Sequence, residues 1–72
     1  MTVTGTVKRV AMGTGTWSIE SDDGTTYEIY QGAPSELLQD GLKVKVDGVV
    51  RDNVMTFAAI GPVLEVRSME IL

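Results

Sequence analysis

Polar and apolar residues alternate strictly at the start of the chain. Over residues 2–7, Val3 and Val7 fall on one side of a pleat and Thr2, Thr4, Thr6 and Lys8 on the other. That period of two predicts a strand with one buried face. Gly5 sits among the inward positions, where a missing side chain lets a strand bend sharply or lets a neighbour approach. Arg9 breaks the alternation before Val10, and a bulge or the end of pairing is expected there. A second strand is predicted over 17–21, with Trp17 and Ile19 facing one way and Ser18 and Glu20 the other. A third spans 25–30, with Tyr27 and Ile29 on one face and Thr26, Glu28 and Tyr30 opposite. Between them Asp22-Asp23-Gly24 is a strong hairpin signal, because Asp and Gly tolerate the positive φ of tight turns.

Residues 31–41 change character. Pro34 suits a first helical turn, Ser35, Glu36, Leu37, Leu38 and Gln39 follow, and Gly41 is placed to end it, so one or two helical turns are expected over 34–39. So short a helix is held only by packing Leu37 and Leu38 on the sheet. Period two returns over 42–51, with Leu42, Val44 and Val46 inward and Lys43, Lys45 and Asp47 outward, until Gly48 and Val49-Val50 disturb it and mark a bend. Asp52-Asn53 predicts a second tight turn and 54–60 a fifth strand, interrupted at Gly61-Pro62 because proline cannot donate to a ladder. The stretch 63–72 alternates loosely and ends apolar, either continuing that strand past a kink or forming a short sixth.

The order strand, strand, strand, short helix, strand, strand, with a glycine in the first strand and a helix before the fourth, resembles the OB-fold. In that fold the first strand bends to serve both sides of a barrel and the helix plugs its bottom. Gly5 and the segment 34–39 occupy the corresponding places, and Val44, Val46, Gly48 and Val50 look like the V-x-V-x-G-x-V run of fourth strands in such barrels. The resemblance spans nearly the whole chain, which is similar in general outline to small bacterial OB-fold proteins, some of them exported. It implies an all-β, five-stranded antiparallel barrel with one short helix between strands three and four. An SH3-like barrel is the competing architecture, and the helical segment counts against it.

At 72 residues the chain is expected to be one domain, and such a domain buries only about 60% of the surface its unfolded chain exposes. The absence of cysteine and histidine excludes disulfides, the usual zinc sites and a Ser-His-Asp arrangement. The lysines occupy exposed strand positions where no burial lowers their pKa, so no enzyme, metal or cofactor is expected. No apolar run approaches the roughly 20 residues of a membrane helix, and the first residues lack the pattern of a secretion signal. A cytoplasmic protein is the expectation.

A net charge of −4 opposes general binding to nucleic acid or anionic membranes. OB-folds bind on the strand-two and strand-three face and its rim loops. Alternation sends Trp17 and Tyr27 to the interior and leaves Ser18, Glu20, Thr26, Glu28 and Tyr30 outside. Glu20 and Glu28 there would repel a phosphate backbone. The expected function is therefore a binding module for a protein or an uncharged small ligand, with Tyr30 and the rim residues Thr14, Thr16 and Asn53 as ligand contacts. The alternative is single-stranded nucleic acid bound by Lys8, Lys43 and Lys45, the only positive patch the strand order allows. A third possibility is self-association through Met69, Ile71 and Leu72 at the apolar carboxyl end. Asp22-Asp23-Gly24 with Glu20 lacks the ligand alternation of a calcium loop, and Met12-Gly13-Thr14-Gly15-Thr16 lacks both a G-x-G-x-x-G pattern and a following helix.

Overall fold

The first alternating segment becomes a nine-residue strand, β1 (Thr2–Val10), longer than its pattern predicts. Arg9 and Val10 stay in register with Trp17 and Thr16 and do not bulge away. The computed structural model describes residues 1–11, 16–52 and 60–72. The first half of β1 pairs antiparallel with β4 (Lys43–Arg51), from Thr2 opposite Asp47 to Thr6 opposite Lys43. Its second half pairs antiparallel with β2 (Thr16–Ser21), from Gly5 opposite Ser21 to Val10 opposite Thr16. Gly5 lies where the two pairings overlap, and a Cβ there would meet the Glu20 carbonyl carbon at 2.8 Å and the Ser21 Cα at 2.9 Å. The glycine thus lets one strand serve both sides of the barrel.

β2 turns into β3 (Thr26–Ile29) through the Asp-Asp-Gly sequence, with Gly24 at φ 92°. The Ser21 amide donates to the Thr25 carbonyl at 2.8 Å, the Gly24 amide to the Ser21 carbonyl at 3.0 Å, and the Thr25 amide to Asp23 Oδ1 at 2.9 Å. The Thr25 amide first, and then the Ser21 hydroxyl, hold the Asp23 carboxyl below the usual aspartate range. A depressed folded-state pKa contributes stability that is present above the ordinary aspartate value and lost as pH falls through the lower, folded one. Carbon-detected NMR titration is expected to place the Asp23 midpoint below that of an unstructured aspartate, and Asp23→Asn to remove this part of the acid dependence. A midpoint at or above the ordinary value contradicts the hydrogen-bonded turn.

The last part of the chain closes the barrel. β5 (Val63–Ile71) runs antiparallel to β4 and, at its start, parallel to β3, with Glu28 opposite Val63 and Ile29 opposite Leu64. The strand order is β1-β2-β3-β5-β4, closed on itself, in the all-β, OB-type arrangement that the resemblance implied. One expectation is corrected: the barrel is mixed, not wholly antiparallel, because period two reports which residues share a face and is silent on strand direction. The fifth strand expected over 54–60 falls almost entirely outside the described residues. The stretch after Gly61-Pro62 forms β5 itself.

The loose alternation of β5 has a cause. Asp47 pairs with Ser68 but Gly48 with Val66, so Arg67 is an extra residue, a bulge that puts two consecutive exposed residues, Arg67 and Ser68, before Met69 turns back toward the core. The bend expected at Gly48 lies at this irregularity.

Between β3 and β4 the expected helix shrinks to a single 3-10 turn, Ser35–Leu37. The Leu37 amide donates to the Pro34 carbonyl at 3.0 Å and the Leu38 amide to Ser35 at 3.1 Å, after which the backbone leaves helical geometry. The turn still inserts Leu37, fully buried, among Val3, Val7, Ile19, Tyr27, Ile29, Val44, Val46 and Leu64. Trp17 and Leu38 pack against this core from partly buried positions. No helix among the described residues is long and apolar enough to cross a membrane.

Candidate functional site

Registers across the barrel align one outward residue from each strand. Lys8 of β1 lies opposite Ser18 of β2, Ser18 opposite Glu28 of β3, Glu28 opposite Val63 of β5, and Val63 opposite Arg51 of β4. The middle of this row is not exposed: Ser18 is 2% and Glu28 4% accessible, and Val63 is buried as well. The expectation that Ser18 and Glu28 stand in solvent is therefore corrected. The Ser18 hydroxyl donates to the Lys8 carbonyl over a long 3.4 Å, and the Glu28 amide donates to the Pro62 carbonyl at 2.9 Å. Of the two carboxylates expected to repel a phosphate backbone, only Glu20 is exposed.

The next outward row holds the cluster with the most developed chemistry. Tyr30 follows β3 directly, and its amide donates to the Leu64 carbonyl at 2.9 Å, which fixes the residue against β5 although the strand has ended. Continuing the Ser18–Glu28 register sets Thr16 level with Tyr30. The Arg51 guanidinium stands over the Tyr30 ring, 5.7 Å from its centroid, close enough for attraction between the cation and the ring face. Arg51 also pairs with Glu65 Oε1, and Arg67 Nε lies 2.9 Å from Glu65 Oε2, so one carboxylate holds two guanidinium groups. Glu65 faces Val49, which is exposed. The result is a partly exposed patch in which an aromatic ring and two cations are linked through Arg51 and Glu65, beside the apolar Val49.

Sequence reasoning picked out Tyr30 and Thr16 as ligand contacts but missed Glu65 and Arg67. Their spacing of two on one strand was the available signal, hidden by the loose alternation around the bulge. Thr14 and Asn53, the other expected rim contacts, lie outside the described residues.

Two of the three lysine positions have an acidic neighbour. Lys43 Nζ is 2.8 Å from Asp22 Oδ1, and Lys45 lies between Thr4 and Glu70 in register. Lys8 lies beyond the Thr6–Lys43 pair, where the Gly41 amide bonds the Val7 carbonyl. An exposed pair such as Lys43 with Asp22 retains little field to attract a polyanion.

A shallow recess of about 160 Å³ lies elsewhere, between β1, β4 and β5, lined by Thr2, Lys45, Asp47, Ser68 and Glu70 among others. It falls short of the roughly 300–1,000 Å³ typical of sites that enclose a small molecule. Among the described residues no group of three or more Asp, Glu, His or Cys side chains is placed to hold a metal ion. Comparisons with protein-family models, with curated proteins and with solved structures found no match.

Proposed function

We propose that this protein is a non-enzymatic binding module that engages a protein partner through the outer face of the barrel around Tyr30, Arg51 and Arg67. The observation that carries this reading is the cation–ring contact between Arg51 and Tyr30, locked by Glu65. Tyrosine and arginine dominate the energetics of protein interfaces, and side chains already held in one arrangement lose little freedom on binding. A chain with no histidine or cysteine lacks the usual catalytic base and nucleophile pairs, which supports the non-enzymatic part.

The test compares the protein with its Tyr30→Ala variant in quantitative affinity capture, alongside NMR titration with single-stranded oligonucleotides at physiological salt. A partner held by the wild type is expected to be weakened by about 2 kcal/mol, roughly thirtyfold, in the variant, as for an interface hot spot. The oligonucleotide spectra are expected to remain unchanged. Oligonucleotide binding that falls steeply with salt and disappears when Lys8, Lys43 and Lys45 become glutamate would replace this reading with the nucleic-acid one.

A further inference from the structure

Closure of the barrel is uneven. β5 has β4 along one side from Val63 to Ile71, but β3 accompanies its other side only at Val63 and Leu64. Beyond the bond from the Tyr30 amide to the Leu64 carbonyl, that second side carries no strand among the described residues. A bare strand edge presents N–H and C=O groups to any chain that can extend the sheet, and proteins usually block such edges with lysine, proline or a covering segment. After Pro62 the sequence Val63-Leu64-Glu65-Val66-Arg67-Ser68-Met69-Glu70-Ile71-Leu72 contains neither lysine nor proline. Within it Ile71 is apolar and open to solvent, at 53%.

We propose that the edge of β5 that no strand of the described residues covers pairs antiparallel with β5 of a second copy of this chain, giving a two-fold dimer whose sheet runs on through both molecules. The order of charges favours a second copy over an unrelated strand, because an isologous contact uses every complementary pair twice. Pairing centred on Met69 sets Ser68 opposite Glu70 of the other copy. It also brings the exposed Arg67 beside Glu70 of the other copy on the outer face. A register centred on Glu70 would set two carboxylates directly against each other and is disfavoured. The bulge at Arg67 bends the strand and keeps the shared ladder short. A contact of this size is weak, so the dimer forms at high protein concentration.

Sedimentation equilibrium of the whole chain from tens of micromolar to millimolar is the decisive measurement. The weight-average mass is expected to climb toward twice that of the monomer. Ile71→Lys, at a position already more than half exposed, is expected to hold the monomer mass across the range with an unchanged melting temperature. Glu70→Arg alone is expected to weaken association, and Arg67→Glu combined with Glu70→Arg to restore it. A wild-type chain that stays monomeric at millimolar concentration overturns the proposal. So does association that Ile71→Lys leaves intact, because the contact would then lie elsewhere.

Discussion

Gly5→Ala is expected to lower stability by about 3 kcal/mol or more, at or beyond the upper end of ordinary overpacking, which costs about 1–3 kcal/mol. The reason is the identity of the atoms in the way. A Cβ at this position runs into the Glu20 carbonyl group and the Ser21 Cα, all main chain, so no side-chain rotation relieves the clash. The β1–β2 ladder must part at its first pair, and the same residue is also paired with Val44 of β4. A 72-residue domain has a total stability of roughly 4–11 kcal/mol, so a large fraction of it disappears. For a domain of this length such a loss lowers the melting temperature by roughly 12–24 °C. Gly48→Ala meets a comparable obstacle, the Glu65 carbonyl carbon at 3.1 Å and Leu64 Cδ1 at 3.3 Å, beside a bulge that can yield more readily. Thermal melts of both variants decide the matter. If Gly5→Ala melts within a few degrees of wild type, the close crossing at β1 is not what closes the barrel.

That crossing was legible in the sequence because it left a positional mark: a glycine at an inward position of an otherwise strict alternation. The same holds for the V-x-V-x-G run of β4, whose valines Val44 and Val46 are fully buried and whose Gly48 meets Glu65. It holds for the Asp-Asp-Gly turn too, where the Asp23 carboxylate and the positive φ of Gly24 act as their residue types imply. Features that depend on which distant segment lies alongside were not legible. Alternation sends Ser18 and Glu28 outward, correctly as to face, but it carries no information about burial on that face. The parallel seam between β3 and β5 joins residues far apart in sequence, and nothing local to 26–29 or 63–64 encodes direction. The short helical segment was legible because Pro34 and Gly41 bracket it, but not that the backbone completes only one 3-10 turn before leaving helical geometry.

The candidate site divides along the same line. Tyr30 stood out as an aromatic on an outward position, and it is there. Its partners come from the ends of two other strands: Arg51 from the close of β4, and Glu65 with Arg67 from β5 on either side of Val66. The contacts of Arg51 with Tyr30 and with Glu65 follow from barrel closure and from the register that sets Val63 opposite both Glu28 and Arg51. The lysine patch shows the converse. The strand order did bring β1 and β4 together as the sequence implied, but the turn at Asp22 and the last strand at Glu70 supply acidic neighbours that a reading of β1 and β4 alone leaves out.

Leu37→Ala is expected to cost about 2–5 kcal/mol, the range for removing a buried leucine whose surroundings relax only partly. Leu37 is 0% exposed although it belongs to a turn of three residues, so tertiary packing, not helical propensity, holds it. It packs among side chains of β1, β2, β3, β4 and β5. The effect reaches beyond the cavity. The segment anchored by Leu37 also delivers Gly41 and Leu42 to β1, where the Gly41 amide bonds the Val7 carbonyl at 2.7 Å and the Val7 amide bonds the Leu42 carbonyl at 2.8 Å. Asp40 Oδ1 accepts from the Arg9 amide at 3.0 Å in the same stretch. Those bonds continue the β1–β4 ladder past its last strand pair, Thr6 with Lys43. Losing the plug is therefore expected to lower amide-exchange protection at Val7, Arg9 and Gly41 as well as the urea midpoint. The adjacent Leu38→Ala, at a half-buried position, is expected to cost about 1 kcal/mol and to leave that protection in place. Equal losses for the two leucines, or unchanged exchange at Val7 in Leu37→Ala, would show that the turn merely covers the barrel end and does not brace β1.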